Sequence, residues 1–243
     1  MENKLNEALV YIKKNKIFEL EEFLYNFKTK YMYLNEKVQI KWRLLMAFCK
    51  EYKKEYERAS ILYSQVIELA EVSPNLLSLD IADIYHRLGL CYMEIRVWNE
   101  GIIAFVKALN ELKLKNKRVK YAECMNNLGT LYLNAGSISE AEKCFLMSYS
   151  IKSKEYSEHS KKLLSSLFNL YECNVIQRNY EQAKKILNEL NSIIVNLKDN
   201  KMLLGATLRR KGKLHFLKGE LEKAEQKFEE AGEKLGKDYP YSL

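Results

Sequence analysis

Two prolines, Pro74 and Pro240, and nine glycines are all that punctuates the 243 residues. A β-sandwich or barrel needs turn chemistry every 8–12 residues or so, so this scarcity excludes both and leaves nearly continuous helix. Histidine is as sparse: His86, His159 and His215 have no metal-ligand spacing. No HExxH, Gly-rich phosphate loop or GxSxG occurs. The five cysteines (Cys49, Cys91, Cys124, Cys144, Cys173) contain no CxxC pair. Their odd number without framework spacing points to buried thiols in a reducing cytoplasm. No run approaches the ~18 apolar residues of a membrane span, and the opening MENKLNEALVYIKKNK lacks the apolar core of a signal peptide. We therefore expect a cytoplasmic protein that is not an enzyme, with no cofactor, no metal and no membrane partner.

What is present is a composition for burying a core: 47% hydrophobic and 30% charged residues. The net charge of +8 is spread along the chain, with one tight basic cluster at Arg209, Arg210, Lys211 and Lys213. Such a balance permits anionic peptides or nucleic acid without demanding either.

Internal repetition organises the chain. YHRLGLCYMEIRVWNEGIIAFVKAL (85–109) and MNNLGTLYLNAGSISEAEKCFLMSY (125–149) align without a gap. Each has Leu-Gly, then an aromatic residue three after the Gly (Tyr92, Tyr132), a small residue twelve after it (Gly101, Ala141) and Phe four later (Phe105, Phe145). The frame recurs at anchors Ala8, Ala47, Gly89, Gly129, Tyr171 and Gly212, spaced 39, 42, 40, 42 and 41 residues apart. The second slot holds Leu20, Ala59, Gly101, Ala141, Ala183 and Ala224, and the third Leu24, Tyr63, Phe105, Phe145, Leu187 and Phe228. The small slots let the two helices of a unit approach closely, and the aromatic one turn later fills the adjoining space.

The breaks carry helix punctuation. Gly136 ends one helix, and Ser137 with Glu140 matches a capping box for the next. Asn179 with Gln182 repeats that pattern, Gly219 marks the last break, and Ser73-Pro74 reads as an N-cap followed by Pro at the first helical position.

The LG-x-x-Y … A-x-x-x-F pattern resembles the tetratricopeptide repeat (TPR) family, clearly in 85–109 and 125–149 and partially in the other four units. The period of about 41 residues exceeds the family's usual 34 or so. Extended repeats of this kind are similar to those of kinesin light chains and of the Gram-positive bacterial regulators that bind signalling peptides. The resemblance implies an all-α fold: a right-handed superhelical solenoid of about six helix-turn-helix repeats, at 2–34, 38–73, 76–115, 117–156, 158–199 and 200–236, with a tail at 237–243. Residues 1–243 would form a single domain.

Each helical residue turns about 100°, so a position two before the anchor points about 160° from it. In a stack of helix pairs that side lines the concave groove. The slot holds Asn6, Leu45, Arg87, Asn127, Asn169 and Arg210. Flanking slots, six before and five after the anchor, add Asp83 and Glu123 on one side and Asn134 on the other. An Asn side chain offers an acceptor and a donor to a backbone peptide unit, and Arg offers a fork to a carboxylate. In peptide receptors of the resembling type groove asparagines hold the ligand backbone, which implies that role for Asn127 and Asn169.

The expectation is a binding module that takes an extended peptide or partner segment in its groove, in its sharper form a regulatory peptide receptor. The alternative is a scaffold for protein assembly with no small ligand. Such receptors often carry an output domain before the repeats. The first anchor at Ala8 leaves no room for one, so no direct nucleic-acid contact is expected unless an output domain is missing. The tail DYPYSL offers two tyrosines and a leucine to a neighbouring molecule, so homodimer formation stands open.

Overall fold

A computed structural model describes residues 8, 10, 11, 14, 16–31, 36–72 and 80–236, with backbone alone at 29–31. Asn6, Ser73-Pro74 and the tail at 237–243 lie outside the described residues. Among the described residues there is no strand. Helices α1 (Ile17–Tyr31), α2 (Glu36–Tyr52), α3 (Tyr56–Val72), α4 (Ile81–Glu94) and α5 (Trp98–Leu114) belong to a first compact unit, Met1–Lys117. A second unit, Arg118–Leu243, holds α6 (Arg118–Asn134), α7 (Ile138–Glu155), α8 (Leu164–Ile176), α9 (Tyr180–Val195), α10 (Lys201–Leu217) and α11 (Leu221–Leu235). A short 3-10 turn, Lys161–Leu163, precedes α8. No helix among the described residues is long and apolar enough to cross a membrane.

The anchor and the third slot meet inside three of the helix pairs. A Cβ placed on Gly89 would lie 2.8 Å from the Phe105 ring, on Gly129 2.7 Å from Phe145, and on Gly212 2.8 Å from Phe228. Only glycine lets the first helix settle against the ring. In the fifth repeat the pair is exchanged: Tyr171 replaces the glycine and Leu187 the ring, both fully buried. The Tyr171 hydroxyl then donates to the Arg210 carbonyl at 2.8 Å, reaching the next repeat. Of the slot residues only Phe228 is half-buried; the rest are buried.

One turn joins the two helices of every described pair. The residue seven after the anchor has a left-handed backbone: Lys54, Arg96, Gly136, Arg178 and Gly219, with φ between 61° and 82°. The next N–H always donates back to the carbonyl three after the anchor, as in Glu55 to Lys50, Val97 to Tyr92, Ser137 to Tyr132, Asn179 to Asn174 and Glu220 to His215. This is the Schellman arrangement, which satisfies two otherwise orphaned carbonyls. It also corrects the capping-box expectation: neither Ser137 nor Asn179 makes a side-chain cap hydrogen bond. In a capping box Glu140 would accept from the Ser137 N–H, but that N–H is already committed to Tyr132.

All five cysteines are buried and none forms a disulfide. Burial is the foremost cause that pushes their thiols up, to about 12 at Cys49, Cys91 and Cys124 and about 11 at Cys144 and Cys173. The thiolate is the reactive form. An aromatic disulfide reagent at pH 8 should therefore label essentially none of them in the native protein and all five after unfolding. Stoichiometric labelling of the native protein would contradict this packing.

Candidate ligand-binding faces

In the first unit, Arg87 stands on α4, half-buried. Its Nε donates to Asp83 Oδ2 at 3.0 Å, and its Nη1 to Glu51 Oε1 and Oε2 at 3.2 and 3.0 Å. The guanidinium lies 5.5 Å from the Phe48 ring. Glu51 also accepts from the Tyr63 hydroxyl at 2.5 Å. Burial disfavours the Arg87 charge, but Glu51, then Tyr63 and Asp83, prevail and raise its pKa. Arg87 and Asp83 are thus joined to each other, and Arg87 ties α4 to α2 of the preceding repeat.

In the second unit, Asn127 on α6 and Asn169 on α8 occupy the same slot of adjacent repeats, both half-buried. The asparagine before the first turns inward: Ser166 Oγ donates to Asn126 Oδ1 at 3.2 Å. Asn127 takes part in an interaction within the protein. The Asn169 carboxamide makes no hydrogen bond among the described residues. On α10, Arg210 Nε donates to Glu172 Oε1 at 3.1 Å and Nη1 to the Ala206 carbonyl at 3.3 Å. Its guanidinium sits 4.5 Å from the Phe168 ring, and Lys213 Nζ is 3.8 Å from Glu172. Glu123 and Asn134 are exposed on α6, at its first turns and its last residue.

The unit therefore presents, on the first helices of successive repeats, two amide side chains followed by an arginine on an aromatic ring. Arg210 repeats what Arg87 does: it bonds a glutamate of the preceding repeat over an aromatic ring. No group of three or more His, Cys, Asp or Glu among the described residues is placed to hold a metal.

No family model matches the sequence, and no curated protein matches it. Solved structures do. BtubC (BKLC) from P. vanneervenii superposes with a TM-score of 0.70 at 16% identity, over 100% of this chain and 94% of that one. A putative kinesin light chain with TPR-like repeats from Podosopora anserina gives 0.69 at 14%, over 84% and 98%. NprR in complex with its cognate peptide NprX gives 0.64 at 17%, over 97% and 67%. The fold is that of the TPR-like repeat proteins.

Within that TPR-like fold, sequence reasoning missed the acidic partners Glu51 and Glu172. The signal for them was charge complementarity between an arginine slot and the preceding repeat. It also missed Lys152, buried at the end of α7. Ala141, Phe145, Ser148 and Lys152 follow one another at helical spacing on the buried face, so a lysine in a core register was there to be seen.

Proposed function

We propose that the chain binds an extended peptide, or an extended segment of a partner protein, along the first helices of its repeats. In its sharper form the protein is a cytoplasmic regulatory peptide receptor of the bacterial signalling type, acting by binding without catalysis of its own. The observation that carries this reading is the pair Asn127 and Asn169. They hold one slot on adjacent repeats, half-buried, and the Asn169 carboxamide has both its donors and its acceptor to offer. That NprR, of similar fold, was solved with a peptide bound supports the same reading.

Arg87 and Arg210 act first as ties between repeats, because each already bonds a glutamate. A ligand carboxylate would share those guanidinium groups with Glu51 and Glu172. Asp83, Glu123 and Asn134 flank the slot and would meet ligand side chains. Hydrogen bonds of ~1 kcal/mol net each do not alone reach the ~8 kcal/mol of micromolar binding. The exposed Ile176, Phe216 and Leu217 supply apolar surface on α8 and α10.

Native mass spectrometry of partners recovered from the source cytosol tests the reading. The wild type should retain a ligand that the Asn127→Ala/Asn169→Ala double variant loses. Equal recovery of every partner with both proteins would favour the scaffold alternative and remove the asparagine pair from the site.

A further inference from the structure

Lys152 ends the buried face of α7 with only 5% of its surface exposed. Its ammonium reaches two neutral hydroxyls, Ser165 Oγ at 3.2 Å and Ser166 Oγ at 3.4 Å. No carboxylate among the described residues pairs with it, in contrast to Lys50, the other buried lysine, which bonds Glu21 and Glu55. Ser166 is itself held by Asn126 Oδ1 at 3.2 Å and by Ser148 Oγ at 3.1 Å, and Ser148 donates to the Ala122 carbonyl at 2.7 Å. An ammonium has three protons to donate, and these two hydroxyls take two of them. A buried charge without a counter-charge is costly unless something supplies one.

We propose that Lys152, with Ser165 and Ser166, forms a subsite for one carboxylate group of the ligand. This rests on the peptide-binding reading and adds to it the ligand's charge at one point. Ser165 is exposed, so its hydroxyl marks the way in from solvent. It also lies four residues before Asn169 on α8, so both share one helix face. The carboxylate would sit one turn before the asparagine contact, accepting the third ammonium proton and the Ser165 hydroxyl proton. One negative charge suits the site. Exposed Glu123 already favours the charged Lys152, while burial, the largest influence, and then Lys162 disfavour it. A doubly charged group would overcompensate a single buried cation. Both a chain-terminal and an acidic side-chain carboxylate offer this chemistry.

The test uses the full chain and small probes at matched ionic strength, read by thermal midpoint and calorimetry. Acetate should raise the midpoint, with acetamide inert and inorganic phosphate weaker. N-acetylglycine and the α-amide of N-acetylaspartate then distinguish a terminal from a side-chain source, the larger shift assigning it. Lys152→Met should weaken acetate binding at least ~10-fold, the loss of a charge-assisted hydrogen bond, while the unliganded midpoint holds or rises. Should that variant fail to fold, Ser165→Ala, at an exposed hydroxyl, should weaken acetate binding in a folded protein. Equal response to acetate and acetamide, stronger binding of phosphate, or an unchanged acetate response in the folded variant would overturn the subsite. The Asn127→Ala/Asn169→Ala variant should keep its acetate response, so failure of the subsite and failure of the peptide reading are told apart.

Discussion

Phe145→Ala is expected to destabilise the unit Arg118–Leu243 by about 3–5 kcal/mol, a fall of roughly 10 °C in melting midpoint. The ring is fully buried and lies against the bare backbone of Gly129. A glycine has no side chain to move into the space the ring leaves, so the cavity cannot collapse from that side. Ala141 fills the slot one turn earlier, and Phe145 belongs to one buried cluster with Leu163, Leu164 and Leu167. Phe228→Ala, at the equivalent but half-buried position of the last pair, should cost distinctly less. Urea unfolding of the two variants measures both, and a loss at Phe145 no larger than at Phe228 would contradict the packing account.

Glu21→Gln is expected to cost about 3 kcal/mol, the range for removing one partner of a buried ion pair. Glu21 on α1 binds Lys50 Nζ on α2 at 2.5 Å and is also held by Lys53, in the turn that follows α2. Glu21 and Lys50 are each more than nine-tenths buried. Without the carboxylate charge Lys50 keeps only Glu55, at 3.2 Å. The pH dependence has a definite sign. Burial alone would raise the Glu21 pKa, but hydrogen bonds from Lys50 and Lys53 outweigh it and hold the group below its ordinary value. A depressed folded-state pKa gives stability that is present above the unfolded value of about 4.3 and lost as pH falls through the folded one. The wild type should therefore lose stability on acidification below about pH 4.5, and the Gln variant should lose less over the same interval. Parallel acid profiles for the two proteins would show that this pair contributes nothing.

The repeat was legible because close helix packing constrains residue size at fixed spacing. Gly89 with Phe105 and Gly129 with Phe145 can be read as contacts from the sequence alone. Even the exchanged pair, Tyr171 with Leu187, kept its place in the frame. The turns were legible only in part. Gly136 and Gly219 announce a left-handed residue, whereas Lys54, Arg96 and Arg178 adopt the same conformation with side chains that give no sign of it. There the backbone bond donated by the next residue enforces the conformation, and local preference yields. Ser137 and Glu140 misled for the same reason, since a capping box and a Schellman turn compete for one N–H.

At the candidate site the register put Asn127 and Asn169 in one slot, while Asn126, one residue earlier, accepts from Ser166. It placed Arg87 and Arg210 in that slot too, but not what they bind. Glu51 and Glu172 lie 36 and 38 residues away in sequence, and a side chain long enough to cross between repeats has several acids in reach. Lys152 was obscured by the opposite habit of reading charge as surface.

The most direct test of the central claim is calorimetric titration of the peptide recovered from the source cytosol. If Asn127 and Asn169 each exchange a donor and an acceptor with its backbone, their joint replacement by alanine should weaken binding at least ~30-fold, or about 2 kcal/mol. The melting midpoint of the unliganded protein should change little, since both side chains are only half-buried and the loss is confined to the interaction that Asn127 makes within the protein. An affinity within about twofold of wild type would contradict the account.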